Sequence, residues 1–234
     1  MTPEKIEEIK KDAKDAGIEL YSLASGLGWS FSLVSDDEKE RELAKTYVKK
    51  QLEIAAALGC DTILVVPGHT GVDFAPDLGV VPYDVAYMRS QDAMRELAPY
   101  AEKAGVYLGV ENVWNKFLLS PLEMKNFIDE VGSPYIQSYF DVGNVLVNSY
   151  PEHWINILGS RIKKVHFKDF KRSIGNLDAF CDILAGDVDY KAVMAAFKNV
   201  GYDNWVTAEV GPYQTDNTVQ LKHTSAAMDY ILSL

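Results

Sequence analysis

The sequence predicts an α/β protein built on a parallel sheet, and three observations carry that reading. One phrase recurs along the chain: a charged amphipathic helix, a closing Gly, then a short β-rich run that ends in polar residues. Strands that alternate with helices of this length imply βαβ units. The six runs are short and apolar, as expected where helices cover a sheet. No linker rich in Pro, Gly or Ser divides the 234 residues, so one domain over 1–234 is expected.

The elements follow in order. Residues 3–16 read as a helix closed by Gly17, and Ile18-Glu-Leu-Tyr-Ser-Leu-Ala as the first strand. Residues 36–58 read as a long helix with apolar Leu43, Tyr47, Ile54 and Leu58 among Lys and Glu. Gly59 closes it, and Thr62-Ile-Leu-Val-Val is a strand ending at Pro67-Gly68-His69. A helix over 84–104 ends at Gly105 and leads into the strand Val106–Glu111. Ser120-Pro121 caps and starts the next helix, which runs to Val131 before Gly132. The strand Tyr135–Asp141, a short helix from Pro151 to Leu158 and the strand Ile162–His166 come next. A helix around 189–199, a turn at Gly201, the strand Trp205–Glu209 and a terminal helix over 217–232 complete the chain. The longest irregular stretch, Pro67 to Pro82, follows a strand end, and loops of that length are functional or disordered.

Composition narrows the function. The net charge is −11 and the pI about 4.8, a balance that repels phosphate backbones and argues against nucleic acid as a partner. Two cysteines, Cys60 and Cys181, are too few for a disulfide framework and read as ordinary thiols. The N-terminus is charged from its fourth residue, and no run approaches the ~18 apolar residues of a membrane span, so a cytoplasmic protein is expected.

Four strands finish on a potential metal ligand: Glu111 in "GVEN", Asp141 in "YFDVGN", His166 in "KVHFKD" and Glu209 in "VTAEV". In parallel α/β folds the C-terminal strand ends share one face, where ligands collect. Three carboxylates and one imidazole, brought together there, repel one another without a cation. Such an oxygen-rich set with a single His suits one divalent ion: Mn²⁺, Mg²⁺, Co²⁺ or Zn²⁺. Moving a proton on the carbon beside a ketone needs a carboxylate base, a second acid/base group and an electrophile, and this set supplies all three.

Together, "GVENVWNKF", "YFDVGNVL", "PEHWI", "KVHFKDFKR" and "GDVDY…GYDNWVTAE" resemble the xylose-isomerase-like sugar phosphate isomerase/epimerase family, near its ketose 3-epimerases, L-ribulose-5-phosphate 3-epimerase and hexulose-6-phosphate isomerase. The resemblance covers nearly the whole chain. It implies a TIM barrel with one divalent ion on Glu111, Asp141, His166 and Glu209, and with Glu111 and Glu209 as the acid/base pair. It also implies that Arg172, six residues past the His, contacts substrate. The expected activity is isomerisation or epimerisation of a ketose or ketose phosphate through a metal-stabilised enediolate. A silent metal-binding scaffold and a dehydratase of the same superfamily are the alternatives. A multi-zinc phosphodiesterase on this fold would need many histidines, and the chain has four.

The chain departs from that family in places. Six βα units are visible where a barrel has eight, the first two strands being absent, so a partner subunit is expected to cover the open sheet in a homo-oligomer such as a homodimer. Asn144 stands where the ketose 3-epimerases carry a second His, and Phe117-Leu118-Leu119 replaces a further Glu. Both changes favour a phosphorylated or otherwise anionic sugar. Lys116, Lys168 and Arg172 add positive charge for it, Trp114 offers a stacking face, and Trp29 a pocket wall. His69 is a substrate or second-metal candidate, His153 reads as structural and His223 as a surface residue.

Overall fold

The computed structural model describes residues 1–234. Its elements in chain order are α1 (Pro3–Ala16), β1 (Ser22–Leu23), α2 (Glu38–Leu58), β2 (Thr62–Val65), α3 (Tyr83–Ala104) and β3 (Tyr107–Glu111). Then come α4 (Pro121–Val131), β4 (Ile136–Asp141), α5 (Pro151–Leu158), β5 (Ile162–Phe167) and the two-residue strands β6 (Asp169–Phe170) and β7 (Phe180–Cys181). The last are α6 (Tyr190–Val200), β8 (Val206–Ala208) and α7 (Asn217–Leu232). The six strands read from the sequence form one sheet in the order β1-β2-β3-β4-β5-β8, as an incomplete barrel of βα units requires. The β1–β2, β2–β3 and β5–β8 pairs are parallel.

Local signals account for most boundaries. Thr2 caps α1 by accepting the Lys5 N–H at 3.3 Å, with Pro3 in the first turn, where its missing N–H costs nothing. Asp37 caps α2 and Asp189 caps α6 in the same way. The Gly residues read as helix closers do close α1, α2, α3 and α6 in the left-handed conformation.

Three elements differ from the sequence reading. β1 shrinks to Ser22–Leu23, because its ladder begins only where β2 begins, at Ser22↔Thr62, and Ile18 is left 62% exposed. The buried stripe of α2 is Ala44, Val48, Leu52, Ala55 and Leu58; of the residues the pattern favoured only Leu58 belongs to it, and Leu43 is exposed. The antiparallel β6–β7 hairpin, with Phe170 opposite Phe180, was not foreseen, since two-residue strands carry no periodicity.

The chain forms two compact units: Met1–Leu119 with Asn126–Ser138, and Ser120–Lys125 with Tyr139–Leu234. In the first, Ile63 and Val65 of β2, Leu108 and Val110 of β3, and Met94 and Leu97 of α3 are buried. The long 67–82 segment is held there by hydrogen bonds within it and to the loop after β3. The Thr70 N–H donates to the Asn115 carbonyl at 3.0 Å, the Val81 N–H to the Thr70 carbonyl at 3.2 Å, and Val72 and Val81 are buried. In the second unit, Phe140 stacks on Trp154 and Phe167 packs on Tyr190 and Phe197. Each such aromatic, fully buried, contributes roughly 1.5–3 kcal/mol, which fixes β4 and β5 as rigid mounts for the residues at their ends.

Candidate metal centre

The second unit assembles most of the charged cluster. Asp141 ends β4 with no exposed surface, and its Oδ1 accepts the Asn144 N–H at 2.6 Å, a short turn that orients the carboxylate. The Val142 N–H donates to the His166 carbonyl at 3.0 Å, locking the end of β4 to β5. His166, buried near the end of β5, lies with Nδ1 3.1 Å from Glu209 Oε2 and 3.9 Å from Asp141 Oδ2, its ring tilted against Tyr139. Glu209 follows β8, and its N–H still donates to the Phe167 carbonyl at 2.8 Å, so the ladder itself delivers the side chain. Burial opposes ionisation of Glu209, but the His166 hydrogen bond and the Lys168 charge outweigh it and hold this carboxyl well below the usual carboxylate range.

Close backbone packing makes this arrangement possible. Gly143 sits where a Cβ would lie 2.7 Å from the Lys168 carbonyl oxygen, so only Gly lets the turn after Asp141 approach the segment after β5. Asp169, fully buried, accepts the N–H groups of Phe170 at 2.9 Å, Leu184 at 2.9 Å and Val188 at 3.2 Å. It ties the 170–188 segment back onto the end of β5. Burial pushes the Asp169 carboxyl up, against those donors. The sequence reading passed over it, because a lone Asp gives no sign of which N–H groups will surround it.

Glu111 ends β3 at 6% exposure. It, Asp141, His166 and Glu209 each offer one ligand atom, and these atoms all lie within 4.8 Å of one another. The donor set fits a divalent ion. It consists of three carboxylate oxygens and one imidazole nitrogen, largely buried and mutually repulsive unless a cation neutralises them.

The other residues singled out from the sequence fall in several places. Asn144 and Lys168 lie within the cluster, with Lys168 Nζ 2.9 Å from Glu209 Oε2 and 3.4 Å from Asn144 Oδ1. Arg172 is exposed; its guanidinium donates to the carbonyls of Leu146 and Ser149, both at 3.2 Å, and stacks on the Tyr150 ring. In the first unit Trp114 is half-buried, and Lys116 pairs with Asp73 at 2.5 Å on the surface. His69 is 1% exposed with neither ring nitrogen hydrogen-bonded to a protein group, and burial pulls its imidazole below the usual His range. Trp29 packs edge-on against Phe74. His153 is exposed on α5 beside Tyr150, and His223 is exposed on α7 near the Tyr213 hydroxyl. Both cysteines are free, as read from the sequence.

Asn115 has a structural part that spacing alone does not reveal. This residue is 1% exposed; it donates to the Gly68 carbonyl at 2.7 Å and accepts the Phe117 N–H at 3.1 Å. It clasps the loop after β3 to the loop after β2.

A sheet of parallel strands with a carboxylate–histidine cluster at their C-terminal ends defines an α/β protein of barrel type with a candidate metal centre. The chain belongs to the xylose isomerase-like TIM barrel family, whose model matches residues 1–231. Among curated relatives it is 26% identical over 201 residues to SgbU of Escherichia coli K12, provisionally named an L-ribulose-5-phosphate 3-epimerase, covering 80% of this chain and 65% of that one. The chain spans 59% and 65% of the lengths of the two curated relatives it matches. Among solved structures it resembles the D-psicose 3-epimerase of Clostridium cellulolyticum H10 in complex with D-tagatose, with TM-score 0.81, 20% identity, and 100% of this chain and 84% of that one covered. It also resembles the zinc-bound IOLI protein, with TM-score 0.80, 18% identity, and 99% and 84% covered. No helix is long and apolar enough to cross a membrane.

Proposed function

We propose that the chain, acting as one barrel-type domain over 1–234, is a divalent-metal-dependent isomerase or epimerase of a ketose or ketose phosphate. The observation that carries this reading is the four-residue cluster within 4.8 Å, formed from the ends of separate strands. Family membership and the sugar epimerases among its relatives support the substrate class. Glu111, Asp141, His166 and Glu209 would hold the ion, which when bound polarises a substrate carbonyl and offsets negative charge on its oxygens. Mn²⁺, Mg²⁺, Co²⁺ and Zn²⁺ all suit this donor set.

The acid/base work falls to the two glutamates. One carboxylate removes the proton from the carbon beside the carbonyl, becoming a carboxylic acid. The other, protonated, delivers a proton to the opposite face of that carbon, which inverts it. Delivery to the neighbouring carbon gives aldose–ketose isomerisation instead. His166 would hold the ion through a ring nitrogen, and in the structure its Nδ1 lies 3.1 Å from Glu209 Oε2. Arg172, Trp114, Asn144, His69 and Lys168 border the substrate in this reading, with Arg172 favouring an anionic sugar. A second copy of the chain would cover the free edges of β1 and β8, which end the strand order.

The test is metal analysis together with proton exchange from deuterated water into a panel of ketoses and ketose phosphates. Exchange at C3 or C1, abolished by Glu209→Gln, is the expected result. Metal-loaded protein that exchanges no sugar would overturn the reading, and a monomer in light scattering would remove the oligomer from it.

A further inference from the structure

Lys168 stands inside the ligand cluster. Its Nζ is 2.9 Å from Glu209 Oε2 and 3.6 Å from Asp141 Oδ2, it donates to Asn144 Oδ1 at 3.4 Å, and it lies 4.8 Å from the centroid of the Phe180 ring. The residue is held from behind as well. Its carbonyl oxygen accepts the Tyr190 hydroxyl at 3.2 Å and abuts Gly143, where no Cβ fits. A lysine that only solvates a surface has no such mount, and one that anchors a distant phosphate does not spend its ammonium on two metal ligands. The charge balance points the same way. In the metal-free protein the carboxylates of Asp141 and Glu209 stand together, and the Lys168 ammonium offsets them.

We propose that Lys168 is the built-in counter-cation of the metal centre. It holds Asp141 and Glu209 together before an ion arrives and then competes with that ion for them, so it sets the affinity of the site. This inference rests on the metal reading above. Without Lys168 the carboxylates would repel one another more strongly in the metal-free protein, and they would gain more from the ion once it bound. The lysine trades affinity for a site that is already assembled, so loading and unloading need no refolding of the strand ends.

The test uses the full chain stripped with a chelator and titrated with Mn²⁺ at neutral pH, as wild type and as Lys168→Met, Lys168→Gln and Lys168→Arg. The two neutral variants are expected to bind Mn²⁺ at least about tenfold tighter than wild type, and the charge-conserving one within about threefold of it. The rise in Tm on adding Mn²⁺ is expected to be larger in the neutral variants. In the wild type alone, acylation of the Lys168 amine, followed by mass spectrometry, is expected to increase when Mn²⁺ binds, which keeps the test open if a variant misfolds. Equal or weaker binding by both neutral variants, an arginine variant that behaves like them, or unchanged labelling would each overturn the counter-cation role while leaving the metal centre standing. Absence of Mn²⁺ binding in every form, wild type included, would instead overturn the metal reading and this proposal with it.

Discussion

The loops after β2 and after β5 occupy equivalent places, each following the C-terminal end of a parallel strand, yet they handle burial of polar groups in opposite ways. At the end of β5 and just after it, ionisable groups come as partners: His166 and Lys168 face Glu209 and Asp141, and Asp169 collects backbone N–H groups. After β2, the buried titratable group is His69, kept neutral by desolvation with no protein partner on either nitrogen, and the loop is held by the amide of Asn115. The charge gathered at one strand end belongs to a cluster that could hold a cation. A neutral clasp at another signals a wall built to keep its shape.

The largest expected effect tests the charged region. Glu209→Gln should lower ketose proton exchange by roughly 10²–10⁴-fold, the usual contribution of a general acid/base, while circular dichroism stays that of the folded protein. A change below tenfold would remove Glu209 from the acid/base pair.

Packing tolerance should separate the two loops next. At Gly186, after β5, a Cβ would lie 2.2 Å from Asp169 Oδ1, whereas at Gly71, after β2, the nearest atom would be 3.8 Å away. Gly186→Ala should therefore cost about 2–3 kcal/mol in urea unfolding and Gly71→Ala within about 1 kcal/mol of nothing. Equal costs would mean that the two loops are packed alike. Asn115→Ala strands the Gly68 carbonyl and the Phe117 N–H, and should cost about 2–3 kcal/mol by the same measurement.

The regions should also lose stability in different pH windows in the metal-free protein. The His69 imidazole is held below its ordinary value of 6.5, so the unfolded chain takes up a proton that the folded one refuses. Stability from His69 is thus present above pH 6.5 and falls as pH drops below it, by at most ~1.4 kcal/mol per pH unit. Glu209 is held below its ordinary 4.5, so its contribution is present above that pH and falls only on further acidification. Urea midpoints across pH should lose the upper slope in His69→Gln and the lower one in Glu209→Gln. The smallest effect is at the surface: Lys116→Ala, which removes the exposed pair with Asp73, should change stability by less than ~1 kcal/mol.

The four candidate ligand positions stood out because each lies at the end of a short apolar run, where a charge is anomalous, and because a parallel sheet gathers such ends on one face. The helix ends were legible for a similar local reason, since Thr2, Asp37 and the closing Gly residues satisfy orphan backbone groups within a few residues. The α2 stripe was misread because side-chain size alone does not tell which face a neighbour will cover.

By itself, then, the amino-acid sequence determined the alternation of strands and helices, most helix boundaries and the identity of the metal-binding candidates, all of which depend on spacing and on contacts a few residues away. Only the tertiary structure decided that Lys168 would turn onto Asp141 and Glu209, that Asp169 would hold a loop, and that His69 would be buried without a protein partner. Those outcomes depend on which distant backbone groups and charges come within ~3 Å of one another, and loop closure, not local propensity, sets that distance.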